Sequence, residues 1–115
     1  MIDHVRPADF PAWLQAQGAA GAPAVVLDVR EPWEIATASV KPGDGFSVVA
    51  IPMNEIPARL AELDPAQPVA CLCHHGARSQ RVAVFLAQNG FTRLANLAGG
   101  IEAWSRELDP AVPRY

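Results

Sequence analysis

Pro68-Val69-Ala70-Cys71-Leu72-Cys73-His74-His75-Gly76-Ala77-Arg78-Ser79-Gln80-Arg81-Val82-Ala83-Val84-Phe85-Leu86-Ala87-Gln88-Asn89-Gly90-Phe91 contains a strand, a loop and a helix, in that order. Residues 68–73 are a short apolar run behind a proline, the pattern of a strand buried on both faces. From about residue 78 to 89 the apolar spacing becomes helical, with Val82, Phe85 and Leu86 on one face. Gly90 suits the left-handed residue that closes a helix, and Phe91 is placed for the apolar contact that accompanies it.

Outward from this unit the alternation continues. Residues 24–29 and 46–51 read as two more buried strands, residues 91–97 as the last one, and residues 2–5 as a short edge strand. Helices are expected from about 7–9 to 17, with Phe10, Trp13 and Leu14 inward, and over 31–36, where Pro32 fits the first turn. Another is expected over 54–62, capped by Asn54 and burying Ile56, Leu60 and Leu63. The last runs from 99 or 100 to 108, with Ile101 and Trp104 inward. Residues 18–21 end the first helix, and 41–45 are a loop. Strands alternating with helices predict an α/β domain: a parallel sheet with helices on both faces, its working crevice at the carboxyl ends of the strands. The turns after Val29, Ile51, Cys73 and Leu97 then share one edge.

Bulk properties set the bounds. The 115 residues suit one domain, 1–115, and an apolar share of 50% is enough for a core. Net charge is −3 and lysine occurs once, at Lys41, so no nucleic-acid partner is expected. No signal peptide stands at the start, and no window approaches the roughly 20 apolar residues that cross a bilayer. A soluble cytoplasmic protein with no membrane partner is the expectation. Cys71 and Cys73 lie two positions apart on a strand, more than about 6 Å, which disfavours a disulfide and fits a thiol-keeping compartment.

The loop from Cys73 to Ser79 has the composition of an anion site. Cys73 ends a buried strand, Gly76 permits a turn other residues resist, and backbone N–H groups can turn inward ahead of a helix's positive end. Thiols in such places ionise at roughly 3.5–7.5 rather than about 8.5, which makes Cys73 the expected nucleophile. Arg78 adds a fork suited to a sulfonate, sulfate or phosphate. Ser79 can cap the helix or donate its hydroxyl to the sulfur.

Three stretches together resemble the rhodanese-like, single-domain sulfurtransferases. These are Leu27-Asp28-Val29-Arg30-Glu31-Pro32-Trp33-Glu34, the loop from Cys73 to Ser79, and Leu97-Ala98-Gly99-Gly100-Ile101-Glu102-Ala103-Trp104. The resemblance covers nearly the whole chain and implies a five-stranded parallel sheet and a double-displacement reaction. Cys73 would take a sulfane sulfur from a small anionic donor such as thiosulfate and release sulfite. The persulfide would then pass its sulfur to cyanide, a thiol or a sulfur-carrier protein, with no cofactor. His74, His75, Gly76, Ala77, Arg78 and Ser79 would bind substrate. One departure stands out: where the family usually shows Gly-His-Ile, this chain has Ala38-Ser39-Val40 and the insertion-like 41–45. That affects one wall, away from Cys73 and Arg78. The ending Asp109-Pro110-Ala111-Val112-Pro113-Arg114-Tyr115 resembles rhodanese domains fused to enzymes that activate ubiquitin-like sulfur carriers.

Cys71 reads as core. His74 and His75 either line the mouth, adding positive charge when protonated, or are exposed loop residues. Cys71, Cys73, His74 and His75 lack the spacing of a zinc site, so no metal is expected. Asp28, Arg30 and Glu34 are expected to support the loop, one carboxylate pairing with Arg78 or with loop N–H groups, though an ordinary strand-end ion pair would look the same. Trp13, Trp33 and Trp104 are expected in the core. A cysteine phosphatase or arsenate reductase is the enzymatic rival. However, four residues separate Cys73 from Arg78, against five in the resembling phosphatases, so no appreciable hydrolysis of an aryl phosphate is expected. A non-catalytic binding module would commonly lack the cysteine, which this chain retains.

Overall fold

The computed structural model describes residues 2–18, 23–43 and 45–115. The strands are β1 (Ile2–Val5), β2 (Ala24–Asp28), β3 (Phe46–Ala50), β4 (Val69–Leu72) and β5 (Leu94–Leu97). The helices are α1 (Phe10–Gly18), α2 (Pro32–Thr37), α3 (Ala77–Gln88) and α4 (Gly100–Glu107). All five strands run parallel in the order β1-β5-β4-β2-β3, so β4, the strand that leads into Cys73, is central. Its pairing is in register with β2 on one side (Asp28 opposite Leu72) and β5 on the other (Cys71 opposite Asn96).

The two-residue period of a strand divides the core into two layers. Val26, Ala70, Leu72, Ala95 and Leu97 face Phe10 and Trp13 of α1 and Ile101 and Trp104 of α4. Leu27, Cys71, Cys73 and Leu94 face Ile56 and Leu63 and, from α3, Val82 and Leu86. Both faces of the sheet are therefore covered, and the central strands are buried along their whole length and largely apolar. The outer strand β3 is only half buried. No helix among the described residues is long and apolar enough to cross a membrane.

Two expectations change. Over residues 54–62 the chain makes two short 3₁₀ turns, Met53–Glu55 and Leu60–Glu62, rather than a capped α-helix. The Arg59 N–H reaches Glu55 O (3.0 Å), but Arg59 itself leaves the helical region (φ −112°, ψ 15°), so the two turns do not join into one helix. Ile56 and Leu63 are buried nonetheless. Trp33 is 65% exposed rather than core, because α2 lies at the rim; its ring meets Tyr115 edge-on, centroids 6.0 Å apart. Trp13 and Trp104 are buried as expected. Of the turn expected to end α1, residues 19–21 lie outside the described residues, as does Asp44 of the 41–45 loop. Gly90 closes α3 at φ 92°, and Phe91 donates its N–H to Leu86 O at 3.1 Å. Ala38 and Val40 of the departing segment are buried.

Candidate active site

Cys73 follows β4 directly, at the strand's carboxyl end, and is 1% exposed. The chain then turns through Gly76, at φ 111°, into α3. That turn brings the Gly76 N–H to Cys73 Sγ at 3.0 Å, the one loop amide to reach the sulfur among the described residues, and puts Ser79 Oγ 3.3 Å away. A side chain at position 76 would need the left-handed backbone that L-residues resist. With Gly76 immediately ahead of it, α3 presents its positive end to the loop. Ala77 opens that helix on the exposed side.

A second helix holds the loop from behind. At the start of α4, Ile101 N–H donates to Cys73 O (2.9 Å) and Glu102 N–H to His74 O (3.3 Å). The approach is possible only because residue 100 is glycine: a Cβ there would stand 2.3 Å from His74 O and 2.5 Å from Cys73 O. The carbonyls are thus turned toward α4, which leaves the Gly76 N–H free to face the sulfur.

Asp28, Arg30 and Glu34 form the wall. Arg30 is wholly buried and forks onto Asp28 (Nε–Oδ1 2.9 Å, Nη2–Oδ2 2.7 Å). It also donates to Ala38 O (2.8 Å) and Glu34 O (3.3 Å), tying α2 to the end of β2. It therefore braces the segment that carries Glu34, and meets the cysteine loop through other residues rather than directly. Glu34, 3% exposed, receives both terminal nitrogens of Arg78 (2.7 and 2.8 Å), the Glu31 N–H (2.8 Å) and the Tyr115 hydroxyl (2.9 Å). The Arg78 fork holds its carboxyl down at about 2 against the opposing effect of burial, and the Glu31 N–H and the Tyr115 hydroxyl add to the lowering. Arg78 itself is held protonated by the same pair.

Tyr115 gave no signal in the sequence, yet it closes this wall. Its hydroxyl also accepts from Arg30 Nη1 (3.0 Å), and its ring stacks on His74, centroids 3.9 Å apart. His75 stacks on the other side of His74, also at 3.9 Å. Burial, and then the neighbouring His75, push the His74 imidazole down, so near neutrality this residue acts through stacking rather than charge. Burial pushes the Cys71 thiol up to about 12, which keeps it inert.

His74, His75 and Glu102 each bring a possible ligand atom within 4.8 Å of the others. The two imidazoles lie nearly parallel, 21° between planes. Their in-plane lone pairs therefore run side by side instead of converging on one ion at about 2.1 Å.

Asn96 was also missed. It sits in β5 at 5% exposure, its Oδ1 2.5 Å from Ser79 Oγ and its Nδ2 3.1 Å from Gly76 O. The signal was present: Leu94-Ala95-Asn96-Leu97 contains one polar residue in a fully buried strand, and buried amides need partners.

The chain is similar to known proteins over most of its length. The family model for the rhodanese-like domain matches residues 10–107. A sulfurtransferase of Allochromatium vinosum is 36% identical over 88 residues, 76% of this chain and 78% of the relative. The thiosulfate sulfurtransferase GlpE of Actinobacillus pleuropneumoniae is 33% identical over 93 residues, 80% and 81% of the two chains. Some relatives are longer: the chain spans 30% of a chloroplastic rhodanese-like/PpiC domain protein of Arabidopsis thaliana, at 38% identity over 80% of this chain. The solved structure of a rhodanese-related protein from Thermoplasma volcanium superposes with a TM-score of 0.75 at 29% identity, over 98% of this chain and 99% of that one. With its central-strand cysteine, its glycine turn and its match to sulfurtransferases over most of its length, this chain belongs to the rhodanese-like domain family.

Proposed function

We propose that the protein is a sulfurtransferase that carries sulfane sulfur on Cys73 between a small anionic donor, such as thiosulfate, and a thiophilic acceptor. The observation that supports this reading most directly is the 3.0 Å approach of the Gly76 N–H to Cys73 Sγ, in a turn that opens α3 beside Arg78. A fixed amide dipole, a helix amino end and a guanidinium all favour negative charge at that point.

The reaction has two displacements. The Cys73 thiolate attacks the outer sulfur of thiosulfate; the Sγ–S bond forms, the S–S bond to the sulfonate breaks, and its electron pair leaves with sulfite. The negative charge now rests on the outer persulfide sulfur. An acceptor nucleophile then takes that sulfur and returns the thiolate. Cyanide serves in the assay, and a thiol or sulfur-carrier protein is the proposed cellular acceptor. Arg78, held in place by Glu34, supplies positive charge for the donor's sulfonate. Near-complete burial of Cys73 favours a donor whose reacting end is a single atom.

Intact-mass measurement after incubation with thiosulfate tests this. One added sulfur, about 32 Da by atomic mass, is expected on Cys73, released by cyanide and absent from Cys73→Ser. An unchanged mass with thiosulfate and with a small persulfide donor, or an adduct on Cys71, would count against the proposal.

A further inference from the structure

Gly76 O, Asn96 and Ser79 form a closed arrangement whose proton positions can be worked out. Gly76 O accepts from Asn96 Nδ2 (3.1 Å) and from Gln80 N–H (3.2 Å), which uses both its lone pairs. The opposite amide orientation would set Asn96 Oδ1 against Gly76 O, oxygen to oxygen, so Oδ1 faces Ser79. Ser79 is fully buried and has one hydroxyl proton. Three acceptors lie within its reach: Gly76 O at 3.2 Å, Asn96 Oδ1 at 2.5 Å and Cys73 Sγ at 3.3 Å; the carbonyl already takes two N–H donors, so the proton is shared between the other two.

We infer that Asn96 is a positioning residue that acts on Cys73 through Ser79, whose hydroxyl is a two-position proton switch between Asn96 Oδ1 and Cys73 Sγ. The inference rests on Cys73 being the reacting sulfur. In the thiol state the hydroxyl donates to Asn96 and its oxygen accepts the S–H. When that proton leaves to solvent, an oxygen lone pair facing an anion is repelled, and the hydroxyl turns to donate to Sγ. A hydrogen bond of that kind stabilises the thiolate but blunts its attack. As the Sγ–S bond forms, the charge moves to the outer sulfur, Sγ becomes neutral and divalent, and the hydroxyl returns to Asn96. Asn96 thus draws the proton away from the sulfur at the moment of reaction, and also pins the carbonyl of the glycine whose N–H addresses it.

The test is the pH profile of Cys73 alkylation by iodoacetamide, with no sulfur donor present and the modified residue located by peptide mapping. Asn96→Ala frees the hydroxyl for the sulfur, so the midpoint moves down by about one pH unit. Ser79→Ala moves it up by a similar amount. In Ser79→Ala/Asn96→Ala the midpoint matches that of Ser79→Ala alone. The ionisable groups around the sulfur are the same in all these proteins: Arg78 of α3 with Glu34 of α2, the Asp28–Arg30 pair, Cys71, His74, His75 and Tyr115.

Asn96→Ala leaving the midpoint unmoved, or moving it equally with serine or alanine at position 79, overturns the inference. Should Asn96→Ala not fold, the near-isosteric, apolar Asn96→Leu decides. It too frees the hydroxyl for the sulfur, so the midpoint falls with serine at position 79 and stays in place in the Ser79→Ala background; an unmoved midpoint, or equal shifts in both backgrounds, overturns the idea. A protein that forms the persulfide but shows no coupling defeats this inference alone. One that shows the coupling but never forms a persulfide defeats the functional proposal instead.

Discussion

Arg78 meets two demands at once. Both its terminal nitrogens engage Glu34, and on the proposed mechanism the same guanidinium draws the donor's sulfonate. A lysine keeps the charge but loses the planar fork. For Arg78→Lys, kcat/KM with thiosulfate is expected to fall about a hundredfold, roughly 2.7 kcal/mol. Urea unfolding, by contrast, should lose only about 1 kcal/mol, since the substitution keeps a positive charge beside Glu34 and the Arg78 side chain itself is 31% exposed. Comparable losses in the two measurements would mark the arginine as structural. At this scale the loop cysteine proposed as nucleophile, the glycine turn and the arginine were legible, because their order and spacing are local. Asn96 and Tyr115 were not picked out, because their roles depend on partners 17 or more positions away: Ser79 for Asn96, and Glu34, 81 positions distant, for Tyr115.

Among elements, α3 and α4 divide the work of shaping the loop. The first presents its amino end beside the sulfur, and the second receives the carbonyls of Cys73 and His74. Gly100 makes the second contact possible, and its φ of 60° and lack of room leave no place for a side chain. Gly100→Ala is therefore expected to destabilise the fold by about 2–4 kcal/mol in urea denaturation and to lower the yield of persulfide. Gly90→Ala is the control. It shares a positive φ, 92°, but a Cβ there meets nothing within 4 Å, so it should cost only about 1–2 kcal/mol and leave the persulfide yield intact. Similar yields from the two variants would remove α4 from the account. The 53–62 segment shows the limit of periodicity: its apolar spacing is helical, but the backbone leaves the helical region at Arg59, and burial of Ile56 and Leu63 survives because the two 3₁₀ turns present them to the same layer.

For the molecule as a whole, the Glu34 carboxylate is a junction of α2, α3 and the final residue. Its folded-state pKa near 2 lies below the ordinary glutamate value of about 4.3. The sign follows: ionisation favours the folded state, the stabilisation is complete above about pH 4.3, and it is lost as pH falls toward 2. Between pH 5 and 2, unfolding free energy should drop by roughly 2–3 kcal/mol more in the natural protein than in Glu34→Gln. Parallel curves from urea titrations at stepped pH would show that this carboxylate does not couple the elements.

By itself the sequence determined the alternation of strands and helices, the two-sided burial of the sheet, and the cysteine loop on which the proposed chemistry rests. Those features are local: the period of apolar residues, a glycine where φ is positive, a cysteine ahead of a helix start. Only the tertiary structure decided that Glu34 rather than Asp28 takes the Arg78 fork, that Trp33 stays in solvent, and that Tyr115 and Asn96 belong to the site. Each of these turns on which distant side chain satisfies a buried donor or acceptor, and such pairing is settled when the elements pack, because only then is water excluded.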